Sequence, residues 1–414
     1  MPTTAPFVIV GASLAGAKTA EALRDQGHDG AIVLVGDETE RPYERPPLSK
    51  DYLTGKADRD TVYVHPPSWY DEHDVELRLG TTVTAVQPGS YRVVLDDGET
   101  LGYAKLLIAT GSTPRPLPVP GGNLDGVLYL RRLADSDRIR QTLHEGSRLV
   151  VVGAGWIGLE TAAAARAAGA DVTVLERSEL PLLRVLGAEM AQVFADLHRD
   201  HGVDLRLGVT VAEIAGHDGK ASAVVLADGT RLPADAVIAG VGITPVTGLA
   251  EAAGLDVDNG ILVDEHLRTS DPDIYAAGDV ANAFHPRLGR RLRVEHWANA
   301  LHQPAVAATG MLGGQATYDR TPYFYTDQYD LGMEYTGFAE TGDYDQIVVR
   351  GDTARREFVA FWLRDRRVLA GMNVNVRDVI DRIEELIRSG TPVDAAQLAD
   401  SDTPLVDLVH LVEH

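Results

Sequence analysis

The chain opens on an unbroken apolar run, "FVIVG" from Phe7. A periodic segment from about Leu14 to Arg24 follows, and then a second apolar run, "AIVLVGDE". Runs without polar alternation predict strands buried on both faces, so the succession reads strand, helix, strand. The same succession returns at "RLVVVGAG", with a helix through "GLETAAAARAAG" and a strand in "DVTVLER". Between the two, "TTVTAV" and "YRVVL" alternate as half-exposed strands do, and "KLLIATGSTPRPLPVPG" is a buried strand stopping at Gly111 before a proline-rich linker. The segment "RPYERPPLSKDYLTGK" carries three prolines within six residues and must enter and leave regular structure abruptly.

The ending repeats as well. "DGTRLPADAVIAGVGITP" follows "DGETLGYAKLLIATGSTP" in order and spacing, the mark of a duplicated nucleotide-binding domain. Beyond it, "ILVDEHLRTSDPDIYAAGDVA" reads as strand, turn and buried strand, with a helix after Asn299. From about Tyr323 the chain is strand-rich and ends in a helix at "VRDVIDRIEELIRSG". The expected class is α/β: two Rossmann-like domains plus a smaller α+β C-terminal interface domain. The expected boundaries are 1–115 with 243–322, 116–242, and 323–414.

Composition narrows the chemistry. With no cysteine, the chain has no internal disulfide, thiol nucleophile, CxxC pair or cysteine-ligated cluster, so redox work must come from a bound organic cofactor. A net charge of -23 argues against nucleic acid as a partner. No apolar run approaches a membrane span, and residues 1–7 carry no basic leader, which leads us to expect a cytoplasmic protein. One basic run, "RLGRRLR" at 287–293, reads as a docking patch or equally as a solvated loop.

The second loop has the full fingerprint: Gly153, Gly155 and Gly158 after a strand, with Glu176 closing the next strand 21 residues beyond Gly155. Glycine there allows backbone N–H groups to approach a pyrophosphate at the helix N-terminus, while the carboxylate accepts the ribose hydroxyls and repels a 2'-phosphate. NADH is therefore expected over NADPH, although Arg177 stands next door. The first loop carries Gly11, Ser13 and Gly16, with Asp37 and Glu38 closing its second strand; serine replaces the middle glycine. Two nucleotide sites without cysteine suggest one tightly held flavin dinucleotide and one exchangeable nicotinamide.

The set "GASLAG", "RPPLSK", "ATG", "GAGWIGLE", "IYAAGDVA" and "TDQY", spread in that order over nearly the whole chain, resembles the FAD-dependent, NADH-using ferredoxin reductases of the putidaredoxin reductase type. Those proteins have the glutathione reductase fold and serve bacterial P450s and Rieske oxygenases. The disulfide reductases of that fold carry a cysteine pair where this chain has "RPPLS". The resemblance implies that Ala15, Asp37, Lys50, Val83, Arg131, Asp279 and Trp297 contact FAD, and that a [2Fe-2S] ferredoxin is a transient partner. For Trp297, a place in the core is the competing reading. Tyr323 and Tyr325 stand in "PYFYTDQY" where family members often have tryptophan. The C-terminal region from 323 has nine basic and 18 acidic residues, so an acidic ferredoxin could not be met by global attraction.

The expected activity is hydride transfer from NADH to FAD, then single electrons to the ferredoxin, by a monomer or weak homodimer. Rubredoxin reductase and monodehydroascorbate reductase share these cofactors. A redox-sensing flavoprotein resembling apoptosis-inducing factor is a further alternative. Glu160 falls one turn into the second nucleotide helix, and the resemblance puts Lys50 near flavin N5. We therefore expect Lys50 and Glu160 to pair as catalytic residues, against the plainer reading that Glu160 only complements its helix N-terminus.

Overall fold

The computed structural model describes residues 5–410. The chain divides into two compact units. One comprises residues 1–46, 58–113 and 243–320, the other 47–57, 114–242 and 321–414. The segment 47–57, which holds Lys50, therefore packs with the second nucleotide-binding region although it lies within the first stretch of sequence.

The first unit is built on a five-stranded parallel sheet in the order Ile274–Ala276, Lys105–Ile108, Phe7–Val10, Ile32–Val35, Val75–Arg78. Its central strands are closed to solvent, as their unbroken apolar runs require. The helix Leu14–Asp25 buries Ala15, Gly16, Ala17 and Ala20, small residues that let it lie close to its neighbours. The helix Trp297–Met311 packs on it and begins two residues before Asn299. The unit also holds a three-stranded antiparallel sheet of Val83–Gln87, Arg92–Leu95 and Thr100–Gly102 and a short three-stranded sheet at 261–292.

The second unit repeats the plan. Its parallel sheet runs Asp204–Arg206, Asp171–Leu175, Arg148–Val152, Ala236–Ala239, Val127–Leu128. A three-stranded antiparallel sheet at Val211–His217, Lys220–Leu226 and Arg231–Pro233 lies between the fourth and fifth of these strands in sequence, as its counterpart lies between the third and fourth in the first unit. The fifth strand differs in origin, since Ile274–Ala276 follows its unit's other sheet strands in sequence whereas Val127–Leu128 precedes them.

The C-terminal part of this unit is an antiparallel sheet of Tyr323–Gln328, Leu331–Gly337, Arg367–Val374, Glu357–Arg364 and Gln346–Asp352, in that order. The strand Glu357–Arg364 shows why it is buried on both faces. Phe358, Ala360 and Trp362 join the core that holds Phe194 and Leu197 of the helix Leu183–Asp200. Val359, Phe361 and Leu363 alternate onto the other face with Ile383 and Leu386 of the helix Ile380–Ser389. Each such large side chain, fully buried, contributes about 1.5–3 kcal/mol.

Candidate functional site

Both glycine loops are shaped by backbone that passes very close. Gly11 has φ +116, and a Cβ there would meet the Ala109 carbonyl oxygen at 2.2 Å; one on Gly16 would meet Gly11 O at 2.0 Å. The second loop has the same construction, with Gly153 at φ +103 and a Cβ position 2.4 Å from Gly240 O, and with Gly158 2.1 Å from Gly153 O. These four glycines are required by the fold itself. The middle position is different: a Cβ on Gly155 would meet nothing within 4 Å. Gly155 caps the helix Trp156–Ala167, so its open space faces the first free N–H groups, where a pyrophosphate would sit.

In the first unit Ser13 occupies that middle position and caps the helix Leu14–Asp25. Its hydroxyl accepts a hydrogen bond from the Arg45 guanidinium, which also stands 3.5 Å from Glu38. Tyr43 donates to the second Glu38 oxygen at 2.6 Å. The serine thus brings a guanidinium to the loop, and a guanidinium suits a diphosphate. Arg45 was missed as a candidate, although it lies inside the "RPYERPPLSK" segment.

The acids after the second strands are not equivalent. Gly36 N–H donates to Arg78 O and Glu176 N–H to Arg206 O, both at 2.9 Å, so Gly36 occupies the rung that Glu176 holds in the second unit. A side chain on Gly36 would collide with Ala12 Cβ at 2.4 Å. Asp37 therefore falls one residue further on, exposed to solvent. The Glu176 carboxylate accepts from Ala154 N–H and from Ser178 N–H, each at 2.8 Å, which fixes it across the mouth of its loop.

Several other first-unit candidates gather around the Gly11–Gly16 loop. Gly278, at φ +79, would place a Cβ 3.2 Å from Ala15 Cβ, and its N–H donates to Gln303 Oε1 at 2.7 Å. That contact brings Asp279, half-buried in the turn Gly278–Val280, to the start of the loop's helix. Trp297 opens its helix half-buried, and its indole N–H donates to Glu44 at 3.2 Å, so it is not a core tryptophan. Val83 is buried in the core of this unit. In the second unit, Arg131 is half-buried at the start of the helix Leu133–Arg140, its N–H donating to Asp135 at 3.1 Å.

Lys50 and Glu160 meet. Lys50 Nζ lies 2.8 Å from Glu160 Oε1, with side chains 14% and 4% exposed. The 3-10 turn Pro46–Ser49 delivers Lys50, and prolines at its start fix the backbone without needing N–H partners. Ser49 donates to Glu160 Oε2 and Thr326 to Oε1 at 2.5 Å, so the buried carboxylate has three donors. The Lys50 ammonium lies 5.4 Å from the centre of the Tyr325 ring. Neither Ser49 nor Thr326 was a candidate, though both stand in segments that carried the resemblance. Tyr323 donates to Glu334 at 2.8 Å, and burial beside that carboxylate pushes its phenol pKa up.

The "RLGRRLR" arginines are largely taken up internally. Arg287 pairs with Asp319 at 2.9 Å, Arg291 donates to Val263 O at 2.6 Å, and Arg293 bonds Glu295 and Asn259. These bonds hold three of the four arginines to their own unit.

Known proteins resemble the chain along nearly all of its length. Residues 5–303 match the family model described as pyridine nucleotide-disulphide oxidoreductase, and residues 323–409 match that described as reductase C-terminal. The chain is 43% identical over 408 residues to putidaredoxin reductase of Pseudomonas putida, covering 97% of this chain and 96% of that one. It is 44% identical over 399 residues to the ferredoxin–NAD(+) reductase component of the anthranilate 1,2-dioxygenase system of Burkholderia cepacia, covering 95% and 97%. Among solved structures, that of the covalent putidaredoxin reductase–putidaredoxin complex matches with a TM-score of 0.94 at 41% identity, covering 98% of each chain. Among the described residues no helix is long and apolar enough to cross a membrane.

Proposed function

The chain belongs to the pyridine nucleotide-disulphide oxidoreductase family, and on that premise we propose that it is an FAD-dependent ferredoxin–NAD+ reductase. Its electron source in this reading is NADH and its acceptor a [2Fe-2S] ferredoxin that feeds a P450 or Rieske-type oxygenase. The observation that carries the reading is the doubled nucleotide cradle in a chain without cysteine. Both cradles fit a dinucleotide: the outer glycines are obligatory for the turn, the Gly155 position is open at one helix start, and Arg45 brings a guanidinium to Ser13 at the other.

Bound FAD would supply the conversion of a hydride's electron pair into single electrons. The chain's own work is positioning and charge. Gly153, Gly155 and Gly158 seat the NADH pyrophosphate, and Glu176 takes the adenosine ribose hydroxyls. Gly11, Ser13 and Gly16, with Arg45, Ala15, Asp37, Val83, Arg131, Asp279 and Trp297, hold FAD. Lys50, held in place by Glu160, would favour the negative charge that accumulates on a reduced flavin. No protein acid or base is needed for the hydride step itself.

Anaerobic titration of the purified yellow protein with NADH tests this, followed by addition of an oxidised [2Fe-2S] ferredoxin, ideally one encoded beside it. Bleaching of the flavin and its rapid return on adding the ferredoxin are expected. Turnover with rubredoxin or monodehydroascorbate but no ferredoxin would replace the acceptor assignment, and a long-lived reduced complex would favour a sensor.

A further inference from the structure

The Lys50–Glu160 pair is the end of a longer buried chain. Thr326 and Gln328 share one face of the strand Tyr323–Gln328, each 1% exposed, because alternate residues of a strand point the same way. Gln328 Nε2 donates to Thr326 Oγ1 at 3.2 Å. His198, fully buried on the helix Leu183–Asp200, places Nε2 at 2.8 Å from Gln328 Oε1. Its Nδ1 lies 3.3 Å from the Tyr329 hydroxyl. Tyr329 sits in the turn after the strand at φ +57, a backbone conformation that a bulky residue seldom adopts. The ring is held there by stacking on His201, with centroids 3.8 Å apart and planes 10° from parallel. With Gln328 paired to Leu331, the two-residue hairpin loop calls for a positive φ at its first residue, where glycine is usual; here a tyrosine takes it, with its ring packed against the two histidines.

The chain has a direction. Burial lowers the His198 pKa to about 4, so the ring is neutral at physiological pH and carries one N–H and one acceptor nitrogen. Gln328 turns its amide nitrogen to Thr326 and its carbonyl oxygen to Nε2, an arrangement that calls for the proton on Nε2 and leaves Nδ1 to accept from the Tyr329 hydroxyl. A glutamine amide passes that polarity on, since its other end must then be the NH2 group, which donates to Thr326. The Thr326 hydroxyl proton is in consequence directed to Glu160. With the opposite tautomer, Gln328 would reverse, Thr326 would donate back to its carbonyl, and the buried Glu160 carboxylate would lose a hydrogen bond.

We propose that His198 is a positioning residue which, through Gln328 and Thr326, keeps the Glu160 carboxylate directed at Lys50, and so sets how strongly Lys50 favours the reduced flavin. This rests on the reductase reading above. The competing role is a clamp that only ties the strand to the helix. All the groups lie in one unit of the fold.

The test uses the full-length flavoprotein. Thr326→Val should lower the limiting rate of flavin reduction by NADH about tenfold, the loss expected for one hydrogen bond to a charged group. His198→Leu should lower it by roughly threefold or more and make the flavin midpoint potential more negative, a smaller share of the same bond. His198→Gln, whose amide nitrogen reaches the Nε2 position, should restore both to within about twofold of the parent. A clamp predicts that Leu and Gln behave alike, and that outcome would overturn the proposal. Nitrogen NMR of labelled histidine in the unmutated protein needs no variant to fold: a proton on Nε2 is expected, and one on Nδ1 would overturn the chain's direction. Failure of the unmutated flavin to accept electrons from NADH would instead strike the reductase reading, and the tautomer would still decide the direction of the chain.

Discussion

Lys50 Nζ and Glu160 Oε1 lie 2.8 Å apart in a place almost closed to solvent, so removing either strands the other. Lys50→Met leaves a buried carboxylate without its counter-ion, and we expect a stability loss of about 3–5 kcal/mol. Adding Glu160→Leu removes the orphaned charge and should recover most of that loss, because an ion pair replaced by apolar groups is often nearly neutral. Reduction by NADH should stay slow in both variants, and the flavin potential should stay lowered. Denaturant titration and stopped-flow reduction separate the two effects. Recovery of the rate along with the stability would reduce the pair to a structural tie.

Glu176 should decide the nicotinamide. Its carboxylate is already fixed by Ala154 N–H and Ser178 N–H, so it is pre-set to accept ribose hydroxyls and to repel a 2'-phosphate. Glu176→Ala should lower kcat/KM for NADH by about ten- to a hundredfold, the worth of one hydrogen bond to a charged group. It should leave bound flavin untouched and narrow the gap to NADPH. A tighter apparent affinity of the parent enzyme for NADPH would count directly against this assignment.

The elements carrying the two cradles were legible because their signals are local. Unbroken apolar runs mark buried strands, and glycines at fixed spacing mark turns that admit no Cβ. The 18-residue helix Leu183–Asp200 was not read from the sequence; Gly187, at φ +77, interrupts it. The strand Val127–Leu128 spans two residues and exists only because Ala236–Ala239 offers an edge to pair with. Strand alternation in Tyr323–Gln328 separates the faces but cannot say that Thr326 meets Glu160, a contact between residues 166 apart. Arg45 was hidden similarly, since its partner Ser13 reads in sequence merely as a departure from glycine. Asp37 and Glu38 looked equivalent to Glu176, and only the ladder register shows Gly36 in that place.

His198 should make stability fall in mild acid. Its folded pKa, about 4, lies below the unfolded value of 6.5, so above pH 6.5 the ring is neutral in both states and contributes no pH dependence. As pH falls from 6.5 towards 4, the unfolded chain binds a proton that the folded one refuses, and stability is lost by about 3 kcal/mol at 1.36 kcal/mol per unit. His65 and His302, lowered mainly by burial, act in the same direction. Urea midpoints at pH 7 and pH 5 should therefore differ, and His198→Gln should flatten the difference. An unchanged slope in that variant would mean that His198 is protonated in the fold.

Gly155 and Gly158 offer the sharpest separation between folding and function. A methyl group on Gly158 would sit 2.1 Å from Gly153 O, a contact that the backbone cannot yield cheaply, so Gly158→Ala should cost stability by at least the ~1–3 kcal/mol of an overpacked core. Gly155 has φ -80, allowed for any residue, and a methyl group there meets no protein atom within 4 Å. Gly155→Ala should therefore fold at least as well, with a gain of up to about 0.4–1 kcal/mol from the stiffer unfolded chain. The same methyl group would occupy the space a pyrophosphate needs, so KM for NADH should rise while flavin content is unchanged. Thermal melts and steady-state kinetics on the two variants check this together. If Gly155→Ala bound NADH as the parent does, the open space at the helix start would have no part in holding the nucleotide, and the cradle would have to be sought elsewhere in the loop.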